Sequence, residues 1–391
     1  MKRPGGEYLA AADVLRVLSI GLIGWYHIWQ QSWLDPGFTV GSHYVNLQSV
    51  VRHGYLLVDV VLVISGFLLA LPWARAQLGL GGRPSVKEYY VKRFLRIFPA
   101  YALAIGVCVL AWSLPRGDYP SAGFLWKDVI THLTFTHNLF YDTYLLTPLP
   151  IVLWTLGVEV QFYLVFPLVA RAYEKSPPLT CVVLALFAFA FRLWVYAMED
   201  TTFWVNQLPC MLDLYAIGMA AAWIYVRASR RAISAGTRWL LAAVALAVLP
   251  ILMQLLYNGV IGEYPDIRRQ QLEYRLPLGM LAGVFLVCGS LAPAGLGRVC
   301  GNPVTRFLAA ISYNFYIWHQ TLAVWLKTLR IPACAAEEPN RVGEQPWQTR
   351  YTLLCFAAAV AVAALVTYLW EKPLAARGLA LYRKRHDSDV S

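Results

Sequence analysis

Ten stretches of about twenty mainly apolar residues run through this chain, near 11–31, 55–73, 97–114, 151–171, 179–197, 209–226, 239–257, 275–292, 307–329 and 351–370. A helix rises about 1.5 Å per residue, so each block can cross roughly 30 Å of hydrocarbon. In a bilayer the backbone has no water to bond, so only helices or closed barrels satisfy it. Blocks of this length select helices. The predicted fold is all-α: a polytopic integral membrane protein, a bundle of about ten transmembrane helices. Composition agrees. Hydrophobic residues make up 59% and charged residues 14%, whereas a soluble domain is nearer half apolar and a quarter charged. A soluble α/β protein would interrupt its apolar runs with charged helix faces, and is excluded.

The formal charge of +11 does not point to nucleic acid, because the basic residues sit in short loops on alternate sides of successive blocks. With the N-terminus inside, the inner segments carry Lys2 and Arg3; Arg75, Arg83, Lys87, Lys92, Arg93 and Arg96; Arg171 and Lys175; Arg227, Arg230, Arg231 and Arg238; Arg298 and Arg306; and Lys372, Arg377, Arg383, Lys384 and Arg385. The outer segments carry fewer. This bias predicts an even helix count with both termini cytoplasmic; the expected location is a cell membrane, in bacteria the plasma or inner membrane. The start, Met1-Lys2-Arg3 and an apolar stretch, has a signal-like look. Asp13 and Arg16 interrupt it and no small-residue cleavage site follows, so a retained first helix is expected.

One membrane domain, residues 1–391 with a short cytoplasmic tail at 371–391, is expected to do everything. The outer stretch 115–150, with Trp126, His132, His137, Tyr141 and Tyr144, is expected to lie on the outer interface or fold back into the protein. The seven cysteines form no C-x-x-C pair and mostly lie inside apolar blocks, so neither a metal site nor a disulfide framework is predicted. No permanently bound cofactor is predicted either.

A charge inside a membrane is costly unless it faces a cavity or a partner, which makes each one a functional candidate. The candidates are Asp13, Arg16, His27, Asp59, Glu159, Arg192, Asp213, His319 and Glu371. Arg16 and His27 stand eleven residues apart, which on a helix is three turns plus about 20° and an axial distance of about 16 Å. That is too far for a pair, but it fits two ends of one extended ligand, an anionic head at the cytosolic mouth and a reactive tail deeper inside. Snorkelling of Arg16 to headgroups, with His27 bonded to a neighbouring helix, is the plainer reading. In Lys92-Arg93-Phe94-Leu95-Arg96 the two arginines share a helix face, and their donor forks suit phosphate oxygens. Positive-inside anchoring is the alternative, and Lys92 is expected to do only that. In Trp154 to Tyr163, Glu159 and Tyr163 share a face, the carboxylate placed to orient an imidazole or to pair with an arginine. Ser312, Tyr316 and His319 recur at i, i+4 and i+7, a polar stripe that would line a cavity or form a packing seam.

These residues, taken in order, resemble the membrane-bound acyltransferase 3 family. The resemblance runs from end to end. It comprises Asp13-Val-Leu-Arg16 with His27; Val58-Asp59 through Ser65-Gly66-Phe67; Arg93-Phe-Leu-Arg96; Trp154 to Tyr163; Asp213 with Gly218; Ser312-Tyr313-Asn-Phe-Tyr316-Ile-Trp-His319; and Glu371-Lys372-Pro373. Val160 departs from some relatives, which carry glutamate there. The resemblance implies transfer of an acyl group, often acetyl, from cytosolic acyl-CoA (acetyl-CoA) as co-substrate to a hydroxyl of an extracytoplasmic or lipid-linked carbohydrate, a glycolipid or a small molecule. It implies that Arg16, Arg93 and Arg96 bind the phosphates of acyl-CoA. His27 would serve as general base or as a transient acyl carrier, with Glu159 as a second catalytic residue. Asp13, Asp59, Ser65, Tyr163, Ser312, Tyr316 and His319 would line or support the cavity. Many relatives carry a C-terminal esterase-like domain. None is expected here, so a handover outside the membrane would need a separate extracytoplasmic acyl-handling partner.

The principal alternative is a transporter or flippase of a polar or lipid-linked substrate. It leaves unexplained three arginines at one mouth with a histidine about 16 Å further in. A polytopic glycosyltransferase would want acidic residues grouped at an outer loop, and Asp118, Asp128 and Asp142 show no such grouping.

Overall fold

A computed structural model describes residues 9–261 and 267–388. Lys2, Arg3 and the last three residues of the tail lie outside them, as does the side chain of Arg385. Among the described residues the regular structure is helical apart from a short antiparallel hairpin, β1 (Phe38–Val40) and β2 (His43–Val45), paired through Thr39 and Tyr44. The long helices are α1 (Ala10–Ser32), α2 (Val58–Gln77), α3 (Val86–Cys108), α4 (Ala122–Leu133), α5 (Trp154–Lys175), α6 (Pro177–Tyr196), α7 (Leu212–Ser229), α8 (Ala235–Ile261), α9 (Ile267–Leu291), α10 (Pro303–Thr328), α11 (Trp347–Leu365) and α12 (Lys372–Ser388).

Among the described residues, nine helical runs are long and apolar enough to cross a membrane. The expected span at 307–329 is the exception. It lies in α10, whose 26 residues are long enough. Its buried Ser312, Asn314, His319 and Thr321, with Gln320, set it apart from the apolar runs. The third span also differs, since its helix starts at Val86, capped by the Ser85 hydroxyl accepting from the Glu88 N–H at 3.4 Å. Arg93 and Arg96 therefore lie two to three turns inside the helix and do not open it. The expected tail continues as helix. A π turn at Val366–Glu371 joins α11 to α12.

The centre of the bundle is the α2–α7 contact, which two glycines make close. A Cβ added to Gly66 would stand 2.5 Å from the Tyr215 carbonyl oxygen, and one on Gly218 only 2.6 Å from the Phe67 nitrogen. With little hydrophobic drive between helices in lipid, such backbone approach supplies dispersion contact instead. Around this pair α6 and α9 pack on α7, and α1 packs on α2, α9, α10 and α11. His27 of α1 and the polar stripe of α10 meet across the contact between those two helices.

The stretch 115–150 folds back. The amphipathic α4 and the turns after it bury Asp128, His132, His137 and Asn138, and Asn138 Oδ1 accepts from Gln161 Nε2 of α5 at 2.7 Å.

Candidate active site

His27 sits in the outer half of α1, partly buried. Its Nδ1 lies 2.9 Å from Gln30 Oε1, one turn on, and 3.3 Å from Gln320 Nε2 of α10. The shorter contact favours a proton on Nδ1, donated to the Gln30 carbonyl oxygen. Nε2 then carries the lone pair, and it has no hydrogen-bond partner among the described residues. Turning the Gln320 amide brings its oxygen to Nδ1–H as a second acceptor.

The stripe on α10 brings a second imidazole to the first. His319 is fully buried, and its ring centroid is 5.2 Å from that of His27. Its Nδ1 faces two backbone carbonyls, Tyr316 at 2.8 Å and Phe315 at 3.1 Å. Carbonyls only accept, so Nδ1 must donate and Nε2 must carry the lone pair. That Nε2 is buried without a partner. Two imidazoles in the same tautomer thus meet between α1 and α10, a site able to accept a proton. Tyr316 OH donates to the Val152 carbonyl at 3.1 Å and accepts from Thr155 at 2.9 Å, which ties this part of α10 to the start of α5. Ser312 bonds back to Ala309 O within its own helix.

Glu159 does not orient an imidazole. Its Oε1 accepts from Ser65 at 2.5 Å and from Tyr163. It is not ion-paired with an arginine either: the Arg93 guanidinium lies over the Tyr163 ring at 5.3 Å and over Tyr89 at 5.8 Å. Arg93, Tyr163, Glu159 and Ser65 form one continuous chain of contacts between α3, α5 and α2. Arg93 has no carboxylate at ion-pair distance among the described residues. Arg96, expected to be equally available, is committed. It pairs with Glu371 at 2.5 Å, and Asn314 Nδ2 holds the other oxygen of that carboxylate at 2.7 Å. Lys92 pairs with Glu88 at 2.7 Å and takes no part.

The unbroken helix from Ala10 to Ser32 keeps Arg16 and His27 on one face, and Asp13 lies partly buried in its first turn. The face between them is not an open groove. Ile20 and Ile23 are buried, and a Cβ on Gly24 would stand 2.5 Å from the Phe315 ring. Gly24 is a packing contact between α1 and α10, so an extended ligand joining Arg16 to His27 would have to run off this face of α1. Asp59 belongs to a separate charge network deep in the bundle, pairing with Arg275 at 3.2 Å, while Asp213 pairs with Arg192 at 2.7 Å.

Sequence reasoning passed over Gln30 and Gln320. Gln30 was detectable as the i+3 neighbour of a membrane histidine; Gln320 had no signal beyond adjacency to His319. A second imidazole pair, His132 stacked on His137 with centroids 4.0 Å apart, lies in the folded-back stretch. There Asp128 accepts from Tyr119 and Thr147. Among the described residues no group of three or more histidines, cysteines or carboxylates could hold a metal.

Residues 9–370 match the family described as an acyltransferase domain. A peptidoglycan O-acetyltransferase, OatA, of Listeria monocytogenes is 25% identical, the match covering 97% of this chain and 57% of that protein. The exopolysaccharide production protein ExoZ of Rhizobium meliloti is 28% identical over 83% of this chain and 90% of its own length. A putative peptidoglycan O-acetyltransferase, YrhL, of Bacillus subtilis is 23% identical over 81% of this chain and 49% of its own length. The chain thus spans about half the length of the two peptidoglycan proteins and most of ExoZ. No solved structure matches it.

Proposed function

This chain belongs to the acyltransferase 3 family, and from that premise we propose that it moves an acetyl group from acetyl-CoA to a hydroxyl of a carbohydrate acceptor across a bacterial plasma membrane. The observation that carries the reading is His27. Its Nδ1 is held by Gln30, its Nε2 is without a partner among the described residues, and a second imidazole stands beside it. In the proposed step His27 Nε2 takes the proton of the acceptor hydroxyl as that oxygen attacks the thioester carbonyl. The tetrahedral intermediate then expels the CoA thiolate, and the imidazolium returns the proton to the sulfur. The ester and the free thiol are the products. An imidazole suits this because its ordinary pKa lies near working pH. His319, held by its carbonyls, keeps the pocket neutral and polar around the developing charge.

Arg93 and Arg16 are assigned to the donor phosphates. Arg93 rests on aromatic rings and keeps its donor fork uncommitted to a carboxylate. Arg96 is assigned instead to holding α3 against Glu371. The peptidoglycan and exopolysaccharide relatives support a carbohydrate acceptor. The test is thiol release from acetyl-CoA by the purified protein in detergent or vesicles, with a soluble glycan present. Release that rises with added glycan, with acetylated glycan detected by mass spectrometry, supports the reading. Transport of an intact glycan without thiol release would refute it in favour of a flippase.

A further inference from the structure

Beside the histidines lies a cavity of about 250 Å³, bounded by the end of α3 (Cys108) and its continuation (Trp112, Ser113), by residues 148–151, and by the outer half of α10 from Gln320 to Trp325. Three features mark it as a ligand site. First, buried polar atoms on its lining lack partners. Ser113 Oγ and Gln320 Oε1 make no hydrogen bond among the described residues, and Thr321 Oγ1 has just the weak contact with the Cys108 thiol. Ser113 is 0% exposed and Thr321 4%. Buried hydroxyls left unbonded are costly, so native structures keep few without reason. Second, one wall is aromatic, with Trp112 and Trp325 stacked at 4.8 Å and 19°. Third, Gln320 belongs both to this cavity and to the catalytic histidine, its Nε2 standing 3.3 Å from His27 Nδ1. Whichever way its amide is turned, one end faces the imidazole and the other lacks a partner.

We propose that this cavity is the acceptor subsite, and that it takes one pyranose ring or chain end, its C–H face against the Trp112–Trp325 wall and its hydroxyls on Ser113, Thr321 and Gln320. The chemistry is matched. Polar atoms with nothing to bond need a ligand rich in hydroxyls, and an aromatic face attracts the positively polarised C–H bonds of a sugar ring. The size is matched too. The cavity falls below the roughly 300–1,000 Å³ of a drug-sized site, so it holds the reacting unit while the remainder of a polymer stays outside. A hydroxyl seated on Gln320 lies on the Nδ1 side of the His27 ring, so a neighbouring hydroxyl of the same sugar is the one that reaches past the amide to Nε2. This proposal rests on the transferase reading above, whose acceptor class it specifies.

The experiment measures binding apart from turnover. Saturation-transfer NMR on the detergent-solubilised full chain would use chitotriose and methyl β-glucopyranoside as probes, with hexanol as the apolar control. The proposal expects saturation of sugar ring C–H protons. The sugar Kd should weaken about tenfold in Trp325→Ala and about fivefold in Thr321→Val. The valine is near in size to threonine and guards against a folding artefact. Absence of sugar binding, binding equal in both variants to wild type, or preference for hexanol overturns it. Acetyl-CoA thiol release on the same preparations separates the two readings. Residue-dependent sugar binding without thiol release keeps the subsite and removes the transferase. Thiol release and sugar binding untouched by either substitution keep the transferase and remove the subsite.

Discussion

Replacing Arg275 with methionine should be among the most damaging single changes in the bundle. Arg275 is 1% exposed and Asp59 3%. The guanidinium donates to Asp59 Oδ1 at 3.2 Å, to the Val205 carbonyl at 2.9 Å, and more weakly to the Cys210 carbonyl at 3.5 Å and Asn206 Oδ1 at 3.4 Å. Methionine fills similar volume but removes every one of these donors, so packing loss is small and the electrostatic loss dominates. Stranding one partner of a buried pair costs about 3–5 kcal/mol. Arg192 also interacts with Asp59, but it is committed to Asp213 at 2.7 Å, so it offers limited rescue. Cys210 is fully buried beside the pair, and labelling of its thiol by a dye reports local opening. Arg275→Met should raise the opening-limited labelling of Cys210 by about 100- to 4,000-fold. The double variant Asp59→Leu with Arg275→Met should recover part of that, since two apolar side chains leave no orphan charge. Wild-type labelling in the single variant would refute the buried-pair reasoning.

Arg93→Ala should weaken acetyl-CoA binding by about 1.5–3 kcal/mol, read by calorimetry. Arg96→Ala should chiefly lower thermal stability by releasing Glu371 and Asn314; a pattern reversed between the two would exchange their roles. Gly24→Ala should push the Phe315 ring, which stacks on His319 at 5.7 Å, costing about 1–3 kcal/mol in a detergent unfolding assay together with turnover; an unperturbed protein would remove Gly24 from the α1–α10 contact. Burial, then the neighbouring His132, lowers the His137 pKa from its ordinary 6.5 to about 2. An unfolded imidazole binds a proton below about 6.5 while the folded one does not, so stability of the stretch should fall as pH drops below that value, by at most about 1.4 kcal/mol per unit. Hydrogen exchange across 122–145, corrected for its intrinsic rate, should rise between pH 7.5 and 5.0 in wild type and not in His137→Gln.

The fold was legible because a bilayer imposes a length on each helix, and apolar blocks display that length directly. What the blocks hid were the polar helices. The expected span at 307–329 is real as a helix, α10, yet its polar stripe places it below the apolar runs. The edge of the third span was missed because Ser85 caps a helix that starts among charged residues. Within the site, the Arg16–His27 face was readable because both lie on one helix with one period. Pairs between helices were not. Gln320 and His27 are 293 residues apart and Arg275 and Asp59 are 216 apart, distances over which no local pattern speaks. Arg275 stood at the rim of an expected span, where an arginine ordinarily snorkels; the helix starting at Ile267 carries it inside. The Ser65 and Tyr163 partners of Glu159 explain why that carboxylate is not at the imidazole.

The central claim is that the free nitrogen of His27 removes the proton from the acceptor. It is tested most directly by comparing His27→Ala with wild type on folded, detergent-purified protein, measuring acetyl-CoA binding by calorimetry and acetylated glycan formed per unit time. Donor binding should stay within about twofold of wild type, because the phosphates are assigned to Arg93 on α3 and to Arg16, about 16 Å from His27 along α1. Transfer should be reduced by about 10²–10⁴. Transfer at the wild-type rate by the alanine protein would contradict it.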